Sequence, residues 1–144
     1  MHRSTARTTR TGRTAHRVLR GTSTTLDTWV PTGRRLVLVD LENLVGGSDA
    51  SLASVHEALA ALDGAIGRDT HDVRVVASGS TLLTTAMSLL ASTRVSLGRG
   101  VDGADLRLLD ELEPGRVVGR YESVVLVSAD GAAFADRVAL LARH

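Results

Sequence analysis

The run Leu36-Val37-Leu38-Val39 ends abruptly in Asp40-Leu41-Glu42-Asn43, and no other stretch of the chain constrains the fold as tightly. An apolar run without polar alternation reads as a strand buried on both faces, the signature of a parallel sheet. Parallel strands need crossover connections, usually helices, so the junction already implies an α/β architecture. It also places an acid at the carboxyl end of a strand, where chemistry collects in open α/β sheets. Asp40 then has two readings. It is a turn or N-cap residue, a role Asp and Asn favour, or it is a metal ligand or catalytic acid. The other strand ends decide between them.

Downstream, strand and helix patterns alternate. Ser48 and Asp49 offer N-cap chemistry, and Leu52, Val55, Leu59, Leu62 and Ile66 recur at spacings of three and four, which predicts an amphipathic helix stopped by Gly67. Residues 72–77 read as a second strand, closed by Ser78-Gly79-Ser80. Residues 81–91 read as a second helix with Leu83, Met87 and Leu90 on its core face, the Met as core filler. A short strand over 93–97 leads through Gly98-Arg99-Gly100-Val101-Asp102-Gly103 into a helix over 104–112 that ends at Pro114-Gly115. Residues 123–128 form a fourth buried strand running into Asp130, and Phe134, Val138 and Leu141 mark a last helix. The expected fold is a three-layer α/β/α domain with a mostly parallel central sheet. Such sheets usually have five or more strands, so a final strand is expected to be missing after the last helix.

Charge divides the chain sharply. All 17 basic residues are Arg, and eight of them fall within residues 1–35 against the single acid Asp27, whereas the remainder carries nine Arg against fifteen acids. Residues 1–33, rich in Arg, Thr, Ser and Gly, hold too little apolar surface to offset chain entropy and are expected to be a disordered tail preceding one domain over 34–144. Three roles compete for that tail: non-specific contact with nucleic-acid phosphates, a transit peptide, or a solvated extension. The absence of Cys removes disulfides, thiolate metal sites and Cys nucleophiles. No apolar run approaches the roughly 18 residues of a membrane span, so a cytoplasmic protein without membrane contact is expected.

Crossover connections put every strand's carboxyl end on one edge of the sheet, so Asp40, the Asp102/Asp105 pair and Asp130 share that edge. Asp102 and Asp105, three apart at a helix start, can lie on one face. Converging carboxylates repel one another unless a cation neutralises them, and hard oxygen ligands suit Mg²⁺ or Mn²⁺. Such a site supports attack of a metal-activated water on a phosphodiester, with Asn43 orienting a water or a phosphate. Taken singly, each acid also reads as a helix cap, Asp105 particularly. Glu42 is either a further ligand or solvent-facing. Asp110, Glu111 and Glu113 read as a solvated helix face, and Asp136 as a surface residue. His2, His16, His56, His71 and His144 form no metal or triad spacing and are expected to lie exposed.

Leu38-Val39-Asp40-Leu41-Glu42-Asn43-Leu44, then Gly103-Ala104-Asp105-Leu106, then Val125-Leu126-Val127-Ser128-Ala129-Asp130-Gly131 with Phe134, resemble in order and spacing the NYN domain of the PIN-like nuclease superfamily. The resemblance spans about residues 35–144. It implies metal-dependent cleavage of RNA by acids at the positions of Asp40, Asp105 and Asp130, with Asn43 nearby and Mg²⁺ or Mn²⁺ as cofactor. Some members carry G-V-D, matched by Gly100-Val101-Asp102, so Asp102 and Asp105 both stand as ligands, with Asp105 favoured because Gly-Ala-Asp-Leu enters the helix directly. Where many members have S-G-D-G-D-F, this chain has Ser128-Ala129-Asp130-Gly131-Ala132-Ala133-Phe134, which lacks the second acid and gains a residue. Aromatic residues able to stack on single-stranded bases are nearly absent. The alternative to a ribonuclease is therefore a catalytically degenerate module that binds RNA or protein.

Two other motifs are set aside. Gly98, Gly100 and Gly103 fit G-x-G-x-x-G, but late in the chain and with Asp102 where it would repel a pyrophosphate. A phosphate-binding P-loop needs a Lys, as do the acidic sites of phosphorelay receivers and haloacid-dehalogenase-type phosphatases, and the chain has none.

Overall fold

A computed structural model of the chain describes residues 33–144 in full and the backbone of 7–11 and 14–20. The elements are β1 (Arg7–Thr11), β2 (Thr14–Arg20), β3 (Arg35–Asp40), α1 (Leu41–Val45), α2 (Leu52–Ile66), β4 (Asp72–Ser78), α3 (Ser80–Ala86) continued by a 3₁₀ turn over Met87–Leu89, β5 (Arg94–Leu97), α4 (Gly103–Glu111), α5 (Pro114–Val117), β6 (Ser123–Ser128) and α6 (Gly131–Leu141). The sheet order is β1-β2-β6-β3-β4-β5. The four strands β6, β3, β4 and β5 are mutually parallel, while β2 adds antiparallel to β6 and β1 to β2. The expected disorder over 1–33 falls for the most part on residues outside those described; the two stretches whose backbone is described are strands.

Strand alternation sorts the core into two layers. Leu36 and Leu38 of β3, Val75 and Ala77 of β4, and Val124 and Leu126 of β6 meet Leu108, Leu112, Val117, Phe134, Val138 and Leu141 from α4, α5 and α6. Val37, Val39, Val76, Val125 and Val127 point the other way and meet Leu41, Val55, Leu59, Leu62, Leu82, Leu83, Ala86 and Leu90 from α1, α2, α3 and their flanks. Strands covered on both faces explain the unbroken apolar runs, and the α/β/α expectation holds.

Chain order fixes where a site can form. From β3 the sheet grows outward through β4 to β5, and then the chain crosses back to lay β6 on the opposite side of β3. The switch point therefore lies between the carboxyl ends of β3 and β6, where the two flanking loops diverge and leave a crevice.

Several local expectations change. Ser51, not Ser48 or Asp49, caps α2 by accepting from the Ser54 N–H at 3.1 Å, and Leu52, the first residue of α2, is exposed rather than part of its core face. The second helix closes at Ala86 and tightens into the 3₁₀ turn, which swings Met87 out to 55% exposure and leaves Leu82, Leu83, Ala86 and Leu90 as the buried set. Met87 is not core filler. Two short helices, α1 and α5, fall outside the sequence reading, since one turn is too short to show a period. Glu111 and Glu113 are not simply solvated: Glu111 pairs with Arg94 and Glu113 with Arg137, because α4 runs beside β5 and α6. Asp110, Asp136, His56, His71 and His144 are exposed as expected, while the side chains of His2 and His16 lie outside the described residues.

Candidate active site

Asp40 is the last residue of β3 and the N-cap of α1. It shares strand parity with Leu36 and Leu38, so its carboxylate faces the α4 layer and only 4% of the residue is exposed. One oxygen accepts from the Asn43 backbone N–H at 3.0 Å and the other from Asn43 Nδ2 at 2.8 Å. The same amide nitrogen donates to Ser128 Oγ at 3.2 Å. Ser128, the buried last residue of β6, in turn accepts from the Asp130 backbone N–H at 3.1 Å. Asn43 thus ties the ends of β3 and β6 across the switch point, and Asp40 is held in one orientation by two donors.

Asp105 lies in the first turn of α4, one helical turn before Leu108, whose burial against the sheet pins the helix. It is brought beside Asp40. Its carboxyl is pushed up to about 6 by burial first, then by the charge of Asp40 and a proton-sharing contact with it, with Asp130 and Asp102 adding repulsion. Asp105 Oδ1 is buried and has no hydrogen-bond partner. Asp40 is also raised, chiefly by burial with Glu42 adding, while the Asn43 N–H, the Asp105 contact and the Asn43 amide pull the other way. Two carboxylates therefore face each other with too few donors between them.

The other candidate acids are placed differently. Asp130 is exposed and caps α6, its Oδ1 accepting from the Ala133 N–H at 3.2 Å, yet its charge still acts on Asp105. Asp102 is exposed at the N-cap of α4, with a left-handed φ of 56° and no side-chain cap bond. Glu42 turns toward β4, where its Oε1 accepts from the Gly79 N–H at 2.9 Å and from Ser78 Oγ at 3.3 Å, so it braces the end of β4. Asp40, Glu42, Asn43, Asp102 and Asp105 line one pocket with Gly79, Gly98, Gly100 and Gly103, a cavity of about 170 Å³. At about 30 Å³ per water that is room for roughly five or six waters, or an ion with part of its shell, and not for a nucleotide. Among the described residues no three His, Asp or Glu side chains come close enough to hold one ion together.

Sequence reasoning missed two supports. Ser128 looked like a motif residue, but its hydroxyl is the hinge between Asn43 and Asp130; a small hydroxyl residue ending a buried strand was the available signal. Gly98 and Gly103 are a packing contact. A Cβ on Gly98 would lie 2.4 Å from the Ala104 nitrogen, and one on Gly103 would lie 2.8 Å from the Gly98 carbonyl carbon. These glycines let the β5–α4 loop cross the start of α4, which sets the height of Asp105, so the G-x-G-x-x-G spacing has a steric origin here.

Comparisons with family models, with curated proteins and with solved structures find no match to this chain. The NYN resemblance therefore rests on its motifs.

Proposed function

We propose that the chain is a divalent-metal-dependent ribonuclease whose site is built on Asp40 and Asp105, with Asp130 at the rim and Asn43 as the positioning amide. The observation that carries this is the pairing of buried Asp40 with half-buried Asp105, whose buried Oδ1 is orphaned. Two acids set side by side, one with an oxygen that finds no donor, form an unfavourable arrangement that a cation relieves, and Mg²⁺ is commonly held by one or two carboxylates, with waters and substrate phosphates completing its shell. The donor set fits Mg²⁺ or Mn²⁺ in that sense. When bound, such an ion would lower the pKa of a coordinated water and offset charge on a phosphodiester. The chain's own contribution is geometric. Two donors from Asn43 fix Asp40, Ser128 fixes Asn43, and packing of Leu108 fixes Asp105.

The test is cleavage of a labelled single-stranded RNA by the wild type and by Asp40→Asn, each with Mn²⁺ and with EDTA. Cleavage that needs Mn²⁺ and disappears in Asp40→Asn supports the reading. Mn²⁺-dependent cleavage that survives the substitution refutes the assignment of the site.

A second reading has its own support. Asp130 is engaged as a helix cap, Ala132 stands where the family has another acid, and no three acids share an ion position among the described residues. These favour a degenerate PIN-like module that binds RNA or protein without cutting. Absence of cleavage together with RNA binding in EDTA would select it.

A further inference from the structure

A second cavity, of about 560 Å³, opens directly beside the acid pocket and shares Glu42, Gly79, Gly98 and Gly100 with it. Its remaining lining is Ser48, Ser80, Thr81, Leu97 and Arg99. The shared part is largely glycine backbone, so the two cavities form one trough with an acidic end and a basic end.

The basic end is unusual in what it leaves unpaired. Most described arginines are engaged: Arg35 with Asp72, Arg68 and Arg74 with Asp63, Arg94 and Arg116 with Glu111, Arg137 with Glu113, and Arg107 with the Leu97 carbonyl. Arg34 and Arg120 are also engaged. Arg99 has no partner among the described residues, and neither have the hydroxyls of Ser48, Ser80 and Thr81. The other arginine without a partner among the described residues, Arg143, follows α6, which starts at the acid edge and carries the chain about 16 Å away over its 11 residues. So a guanidinium and three hydroxyls without partners among the described residues belong to side chains that line a groove leading to the acid pair. Glu42 keeps its negative charge at the junction of the two cavities, but it makes no ion pair with Arg99, its Oε1 accepting instead from the Gly79 N–H and the Ser78 hydroxyl.

We infer that this end of the trough is a phosphate subsite for single-stranded RNA, with Arg99 as its anchoring charge and the Ser48, Ser80 and Thr81 hydroxyls as neutral donors. The inference rests on the ribonuclease reading for the identity of the strand, and it adds where the strand runs: from the acid pair across Gly79 and Gly98 toward Arg99. A guanidinium presents a planar fork of donors that fits phosphate oxygens, and a glycine floor lets a sugar-phosphate backbone approach closely. Arg99 is a binding residue here and has no part in the chemistry.

The test uses the full chain and a fluorescent octauridylate. Binding is followed by anisotropy in EDTA between roughly 50 and 300 mM salt, the range over which phosphate contacts register. Arg99→Gln should weaken binding about five- to tenfold and flatten the slope of log K against log salt by about 0.7, the loss of one single-strand phosphate contact. Arg99→Lys should restore the slope, and Arg143→Gln should leave it unchanged. Equal slopes for wild type and Arg99→Gln, or no binding by the wild type, overturn the subsite. The same proteins with Mn²⁺ separate the two proposals. A flattened slope without cleavage leaves the subsite standing and removes the nuclease; cleavage with KM unaltered in Arg99→Gln does the reverse.

Discussion

Replacing Asp105 by Asn should stabilise the protein in the absence of divalent ions. The side chain keeps its shape, loses its charge, and gains an amide N–H that can donate to Asp40. The wild-type carboxyl is raised from 3.8 to about 6 by burial and by Asp40. That displacement of about two units corresponds to at most about 3 kcal/mol, at about 1.4 kcal/mol per unit. Asp105 is only partly buried, so solvent screening reduces the expected effect to about 1 kcal/mol. The direction follows from proton uptake. Between pH 4 and 6 the folded protein retains a proton that the unfolded chain has released, so this group's contribution to stability is present below about pH 4 and is lost as pH rises through 6.

Thermal melting in EDTA at pH 5 and pH 7.5 reads this directly. At pH 7.5 Asp105→Asn should melt about 3–5 °C above wild type, for a domain of this size, and the gap should shrink at pH 5. Excess Mn²⁺ should raise the wild-type Tm, because a ligand that binds only the folded state stabilises it, and should raise the variant's less. If Asp105→Asn melts below wild type at pH 7.5 in EDTA, the two carboxylates are not in conflict and the reasoning from the orphaned oxygen is wrong.

Two further predictions follow from contacts away from the acid pair. Gly98→Ala puts a Cβ 2.4 Å from backbone in Ala104, so it should destabilise by about 3 kcal/mol or more; a chemical-denaturation midpoint within error of wild type would show that the loop yields freely. Burial works to raise Asp72, but the Arg35 guanidinium, bonded to both carboxylate oxygens with Nε at 2.8 Å and NH2 at 2.6 Å, holds it below the usual carboxylate range. This pair's contribution is therefore present above the unfolded pKa near 4 and lost as pH falls below it; Arg35→Met should remove that acid-side loss in melts between pH 2.5 and 5, opposite in slope to the Asp105 effect.

The fold was legible where burial dictates pattern. β3, β6 and the buried half of β4 are read directly from runs such as Val124-Val125-Leu126-Val127, because helices on both sheet faces leave no polar position there, whereas the edge strand β5 is short and keeps Arg94 and Ser96. α2 and α6 show their period for the same reason. What escaped was set by contacts distant in sequence or too short for a period. Met87 sits at a helical spacing from Leu83 and Leu90, and only the tightening of the chain at Ala86 turns it outward. Glu111 and Glu113 look like a solvent face until α4 is laid beside β5 and α6, whose arginines reach them.

The acids show why cap and site readings of a strand-end carboxylate are not alternatives. Asp40 is an N-cap and is also the buried half of the pair with Asp105. The cap bond from the Asn43 N–H satisfies one oxygen and fixes the direction of the other, which a functional carboxylate on a flexible loop would lack. Asp130 shows the same geometry without the burial: it caps α6, lies exposed, and reaches Asp105 only through its charge. The difference traces to what each strand carries into the turn. β3 delivers Asp40 itself on the parity that faces α4, whereas β6 delivers Ser128 on that parity and leaves Asp130 two residues out in the loop. Sequence spacing records the acids but not this offset, since both motifs read as an apolar run followed by an acid. The distance past the last core residue that meets α4 separates the inward carboxylate from the rim one: Asp40 follows Leu38 by two positions, whereas Asp130 follows Leu126 by four.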